Sequence, residues 1–220
     1  MTARTVYVVA MWVSLLCVAD AGAQTPRWEL TPSLVVDGPA SMGTTRAVIE
    51  APSGADIVLF TAESRSTTGP GAALQVSHRL GARWRVGVSG NWSRPSIETH
   101  ITGDLEGADD ETARVGLHRF VVAAQVERTL ARRGKAEWVV GAGAGWLREL
   151  TSDRAVTGNG FAAHAGGGLK YWMRDGQPGW LGRIALRVDA RLALRRDGVS
   201  SGDQDLHWSP QAFAGLVIAR

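Results

Sequence analysis

From position 181 the chain reads LGRIALRVDARLALR, and its side chains fall into two chemically opposite sets at a spacing of two. Ile184, Leu186, Val188, Ala190, Leu192 and Leu194 make one set; Arg183, Ala185, Arg187, Asp189, Arg191, Ala193 and Arg195 make the other. Successive residues of a β-strand point to opposite faces, so this stretch, Leu181–Arg195, predicts a strand with one face of hydrocarbon and one face that is almost wholly ionic. A helix would gather the four arginines into a stripe but would scatter Asp189 and the leucines around the cylinder. The strand accounts for every position.

The same alternation recurs along the chain. Strands are expected at Trp28–Val36, Ala72–Leu80, Trp84–Trp92, Arg119–Leu130, Trp138–Glu149, Phe161–Met173 and Trp208–Ala219, which with Leu181–Arg195 makes eight. Pro32 weakens the first, because proline cannot donate to a ladder. Asp56–Ala62, DIVLFTA, is also strand-like and reads either as an upward extension of the second strand or as an extra hairpin within a loop. Connections at 81–83, 131–136 and 174–179 are short, whereas those near 37–68, 97–112, 151–158 and 197–205 are longer and more polar. An even number of strands with short and long connections in alternation predicts an all-β, eight-stranded antiparallel up-and-down barrel.

Tryptophan decides which side of the wall the hydrocarbon faces. Trp84 and Trp92 share a face eight residues apart, as do Trp138 and Trp146. At about 3.3 Å per residue and a tilt near 40°, eight residues climb roughly 20 Å, close to the height of a lipid-facing band. Phe161, Tyr171, Trp180 and Trp208 also fall at strand ends on the apolar face. These eight aromatic residues would crowd a small soluble barrel, yet they match two interfacial girdles around an outer wall. The barrel is therefore expected to be transmembrane, with its charged face turned inward.

The ends and totals fit export. Arg4, an apolar run from Val6 to Val18 and then Ala21-Gly22-Ala23 have the build of a signal peptide at 1–23, too short to span a bilayer as a helix and cleaved near Ala23. One barrel domain at 24–220 follows. Cys17 lies in the apolar run and is preceded by bulky Leu16, so it is read as lost with the signal rather than lipidated. The full chain carries 24 basic and 21 acidic residues; removing 1–23 takes Arg4 and Asp20 and leaves 23 and 20, a net charge of +3. That surplus, with no Lys/Arg-rich block, does not point to nucleic acid.

An eight-stranded barrel is only wide enough for its own side chains. The expected lumen set is Glu29, Arg79, Arg85, Arg119, Glu127, Lys170, Arg183, Arg187, Asp189 and Arg191, in which basic groups outnumber acids. Unpaired charges in so narrow an interior are costly, so Glu29, Glu127 and Asp189 are expected to bond the arginines of strand seven, making Glu29, Arg85, Glu127, Arg183, Arg187, Asp189 and Arg191 a structural ion-pair cluster. A gate or narrow polar pore is the functional alternative. GAGAG at 141–145 continues into a strand rather than a helix, so it reads as packing space for long neighbours such as Lys170, not as a nucleotide loop. His78, His100, His118, His164 and His207 show no metal-ligand spacing, and the acidic stretch 104–111 lacks an ordered calcium-loop pattern. No metal, cofactor or catalytic residue is assigned. His100, His207, Ser200 and Ser201 are the residues a lipid-modifying barrel enzyme would draw on.

VVGAGAGWLREL, FAAHAGGGLKYWM, LRVDARLAL and the closing QAFAGLVIA resemble the last four strands of the small bacterial outer-membrane β-barrel domain family, the OmpA/OmpX-like eight-stranded barrels. The resemblance covers most of the mature chain, more securely after Gly69. Barrels of that family usually end in an aromatic residue read by the assembly machinery, whereas this chain ends Ile218-Ala219-Arg220. The resemblance implies a bacterial outer-membrane location and, as partners, outer-membrane lipid and the barrel assembly machinery. The role it implies is structural or surface-interactive, carried by external loops whose ligand the sequence does not name. A barrel enzyme acting on outer-leaflet lipid, a narrow pore and a soluble lipocalin-like binder are the rivals.

Overall fold

A computed structural model describes residues 27–50, 56–103, 109–153, 155–174, 183–199 and 206–220. The expected signal peptide and its cleavage point, the turn at 175–179 with Trp180, residues 104–108 of the acidic stretch, and Ser200 and Ser201 lie outside the described residues.

Eleven strands form: β1 (Trp28–Asp37), β2 (Ala40–Glu50), β3 (Asp56–Ser66), β4 (Gly69–Arg79), β5 (Trp84–Ser93), β6 (Ser96–Thr102), β7 (Glu111–Arg133), β8 (Ala136–Thr151), β9 (Thr157–Arg174), β10 (Arg183–Asp197) and β11 (Leu206–Ala219). Eight of them close an antiparallel barrel in the order β1-β4-β5-β7-β8-β9-β10-β11, with β11 returning to β1 through Leu30↔Ile218 and Leu34↔Ala214. Closure reaches the last residue, since Arg220 N–H donates to Trp28 O at 2.9 Å and Trp28 N–H donates to Arg220 O at 3.0 Å. Thr31 and Pro32 make no rung with β11, which is where the proline's missing donor is accommodated.

The alternation sets the two faces of the wall. On β10, Leu186, Val188 and Leu192 are half exposed to the outside, while Ala185, Arg187, Asp189, Ala193 and Arg195 are buried within. Leu34, Leu74, Val88 and Val122 continue the exposed band around the barrel. The interior holds few large apolar side chains, so this protein is turned inside out relative to a soluble fold.

Three strands do not belong to the barrel. At Gly38-Pro39, Thr67-Thr68 and Arg94-Pro95 the chain leaves the wall and pairs again above it, so β2, β3, β6 and residues 111–116 of β7 make a four-stranded extension rising from the end opposite the chain termini. Asp56–Ala62 is thus both things the sequence allowed, an upward continuation of the second barrel strand and one arm of a β2–β3 hairpin. The joint is tight: a Cβ on Gly69 would lie 2.3 Å from Pro95 N, and one on Gly38 2.6 Å from Pro210 Cγ. The stretch 97–112, expected to be a long loop, is corrected to strand over Ser96–Thr102 and from Glu111 onward. Its acidic composition masks the alternation of Ile97, Thr99 and Ile101 with Glu98, His100 and Thr102.

Candidate functional site: the charged lumen and the extension

The lumen contains two separate ionic clusters. In the one nearer the termini, Arg85 Nε donates to Glu29 Oε1 at 2.8 Å, its Nη2 to Glu137 Oε1 at 2.5 Å and its Nη1 to Thr129 Oγ1 at 2.9 Å. Lys170 Nζ donates to the other oxygen of Glu29 at 2.6 Å and lies 3.7 Å from Glu127 Oε2. Arg187 pairs with Glu127 and donates through Nε to Asp189 Oδ2 at 2.7 Å, and Arg191 Nη2 reaches the same oxygen at 3.3 Å. Four carboxylates therefore meet four cations. Gln75 Nε2, at 3.0 Å from Glu127 Oε1, and Trp172 Nε1, at 2.9 Å from Glu137 Oε2, occupy further acceptor sites. Trp172, Ala185, Val217 and Ala219 pack together beneath this cluster.

The second cluster centres on Asp37, which is fully buried. It accepts from Arg119 Nη1 at 2.5 Å and Arg195 Nη2 at 2.6 Å, and from Ser93 Oγ, Ser209 Oγ and Gln211 Nε2 at 3.1–3.2 Å. Arg119 Nε also donates to Glu149 Oε1 at 2.5 Å, and Glu149 Oε2 accepts the Val199 N–H at 3.0 Å. Met42, Ile97, Leu117 and Val199 form an apolar cluster at the top of the barrel, Val199 coming from the β10–β11 connection. Between the ionic clusters is a cavity of about 30 Å³, walled by Thr31, Ser89, Asn91, Arg191, Arg195 and Gln211. That is room for one or two waters and too little for an organic ligand.

The pairing differs from the sequence expectation in three respects. Glu29 is held by Arg85 and Lys170, not by an arginine of strand seven. Arg183 lies at the terminal end of β10 opposite Ala219, away from Glu127 and Asp189. The basic excess is reduced, because Asp37, Glu137 and Glu149 also face inward. Asp37 and Glu137 lie one residue outside the expected strands, where one further step of the period of two reaches them, and Glu149 is the last residue of its expected strand, on the inward parity.

The glycines correct a further point. Gly143 makes room for Gln125 and His164, not for Lys170: a Cβ there would meet His164 Cε1 at 2.6 Å and Gln125 Cβ at 2.9 Å. Gly168 does the same for Asp189, whose Oδ1 would lie 1.9 Å from an added Cβ. Gly168→Ala should therefore displace the Asp189 carboxylate and cost about 1–3 kcal/mol, read as a lower urea midpoint of the folded barrel.

Outside, seven of the eight expected girdle residues are described, and Trp84, Trp92, Trp138, Trp146, Phe161, Tyr171 and Trp208 are each exposed by 37–53%. Trp84, Trp138 and Tyr171 stand toward the terminal end; Trp92, Trp146, Phe161 and Trp208 stand toward the extension. Trp28 and Phe120 join the two rings, and His78 and His118 lie against Trp28 and Trp92 with ring centroids 4.6 and 6.3 Å apart.

On the extension, Glu98 stands between Arg65 at 2.9 Å and Arg114 at 3.8 Å, and His100 Nδ1 is 3.0 Å from Thr112 Oγ1. His207 is buried with Nδ1 2.9 Å from Ser41 O, so the structure does not bring it together with His100. Among the described residues no group of three His, Cys, Asp or Glu is placed to hold a metal ion.

No protein-family model and no curated protein sequence matches the chain. Solved structures do. The outer membrane protein OprG of Pseudomonas aeruginosa superposes with a TM-score of 0.52 at 11% identity, covering 90% of this chain and 98% of that one. Neisserial surface protein A, NspA, gives 0.53 at 10% identity, covering 87% and 97%. At such identity the likeness speaks for architecture alone, and the architecture agrees with the closed eight-strand ring, the apolar wall and the ionic interior: the chain has the transmembrane β-barrel fold of the small bacterial outer-membrane proteins.

Proposed function

We propose that this protein is exported, is cleaved near Ala23 and resides in the bacterial outer membrane, with the chain termini on the periplasmic side and the extension outside the cell. Its barrel is an anchor rather than a conduit, and its role is structural or surface-interactive. The observation that carries this reading is the lumen: two charge-balanced clusters, with an apolar layer at either end, leave between them a cavity of only about 30 Å³. An ion crossing it would have to break several buried pairs, each costing about 3–5 kcal/mol when one partner is removed. The extension presents accessible polar side chains, among them Arg46, Glu50, Arg65 and Arg114. The aromatic rings sit at the two lipid interfaces, where amphipathic rings are favoured.

Purified protein in a planar bilayer should show no steady single-channel current, while the same sample should migrate faster on a gel unboiled than boiled, as folded barrels do. Steady conductance would overturn the closed lumen. Absence of the heat shift would overturn the membrane barrel itself.

A further inference from the structure

On one side the extension ends in β2, whose only hydrogen-bonded neighbour strand among the described residues is β3. Among the described residues nothing pairs with the outer side of β2, which touches β11 only near its base, where His207 meets Ser41. Exposed edges are templates for another strand, and proteins usually blunt them with proline, lysine or a bulge. From Thr44 to Glu50 this edge has neither proline nor lysine. β2 carries a bulge of its own lower down, at Met42 between the pairs Ser41↔Arg65 and Gly43↔Ser64, but the irregularity at its tip falls on β3, where Leu59 is the extra residue between Ala47↔Phe60 and Val48↔Val58, so β2 stays regular from Thr44 to Glu50. Val48, Ile49, Ile57, Val58 and Phe60 are exposed around it by 36–51%.

The charges on this edge are self-complementary. Arg46 and Glu50 are exposed, and neither makes an ion pair among the described residues. They flank Val48 at equal distances along the strand. In an antiparallel pairing with a two-fold axis at Val48, Val48 faces Val48 of the second chain, Ala47 faces Ile49, and each Arg46 faces a Glu50. Opposite charges directly across a ladder are favourable and like charges are not. Centring the axis on Arg46 or Glu50 would instead set like charges face to face.

We infer that the β2 edge is a homotypic contact, pairing antiparallel with β2 of a second copy through residues 46–50. The inference rests on the membrane-anchored reading above and gives it a partner. Its geometry has a consequence. β1 climbs from the terminal end and β2 continues the climb, so an antiparallel partner strand descends from a barrel lying on the far side of the contact. With strands tilted about 40° from the barrel axis, two barrels so joined cannot stand upright in one bilayer. They stand in two facing membranes, and the contact joins one cell surface to another. Five residues a side make a weak bond singly, and many copies on opposed surfaces multiply it.

The test uses the full chain in phosphatidylcholine vesicles. Val48→Cys places two thiols on the axis, where facing Cα atoms of an antiparallel pair lie about 4.5 or 5.5 Å apart, both within disulfide reach. Mild oxidation should carry most of this variant to twice the monomer mass on a non-reducing gel, while Val88→Cys, on the lipid face, stays monomeric. Vesicles bearing the unmodified chain should cluster, as seen by light scattering. Arg46→Glu alone and Glu50→Arg alone should each lower clustering about tenfold, because each sets like charges opposite one another. Mixing those two vesicle populations should restore it, since each strand then meets its complement across the gap. No cross-link at position 48, clustering indifferent to charge reversal, or a mixture that stays dispersed would each overturn the pairing. Every variant is read beside its heat shift: a barrel that shows the shift but fails these tests disproves the contact alone, and loss of the shift from the unmodified chain disproves the anchor on which it rests.

Discussion

Replacing Asp37 with alanine should destabilise the folded barrel by about 3–5 kcal/mol, because Arg119 and Arg195 would remain buried without the carboxylate they share. No other acid can take over both: Glu149 already binds Arg119 through Nε and the Val199 N–H through its second oxygen. Ser93, Ser209 and Gln211 would also lose their common acceptor. Asp37→Asn keeps the shape and some of the hydrogen bonds but not the charge, so it should fall between alanine and the unmodified chain. The measurement is the urea midpoint of the heat-shifted band in detergent. A shift for Asp37→Ala corresponding to less than about 1 kcal/mol would mean that solvent reaches the cluster and screens it.

The second large effect is a coupling. Arg85→Met should leave Glu137 with only Thr129 and Trp172, while Glu29 keeps Lys170. Glu137→Gln should leave Arg85 with only Glu29 and Thr129. Each single change breaks a buried pair and should cost about 3 kcal/mol. The double variant removes one charge of each sign, restores balance and should cost less than the sum of the two by about 1–3 kcal/mol. Strict additivity in that cycle would show that the 2.5 Å contact between Arg85 and Glu137 contributes nothing of its own.

Much of this architecture is written in the period of two. The stretch predicted as 181–195 forms a strand over 183–197, and the inward parity of Arg187, Asp189 and Arg195 is the parity of the sequence. The alternation fails as a guide at strand ends: Asp37 and Glu137 fall one residue outside the expected strands because a large apolar neighbour, Val36 or Trp138, stands on one side only, and Glu149 closes its expected strand with Arg148 beside it. It fails again on the extension, whose strands mix polar and apolar residues on one face, Val48 between Arg46 and Glu50 on β2 and Thr99 between Ile97 and Ile101 on β6, a weaker contrast than leucine against arginine. The partner of a given charge was not legible either. That Glu29 takes Lys170 depends on the relative height of β1, β5 and β9, a matter of register among strands that are not neighbours. Likewise Gly168 shows its purpose only once Asp189 is seen against it.

The lumen pairs also bear on how the barrel forms and how it lasts. Lys170 and Glu29 are 141 residues apart in the chain, Arg195 and Asp37 158. Contacts so distant in sequence can form only after the intervening loops have lost their freedom, and that ordering is slow. The network therefore does little to hasten assembly. Interactions that are absent from the transition state act by slowing its reverse. The interior salt bridges should accordingly govern the lifetime of the closed ring, making it reluctant to reopen rather than quick to shut.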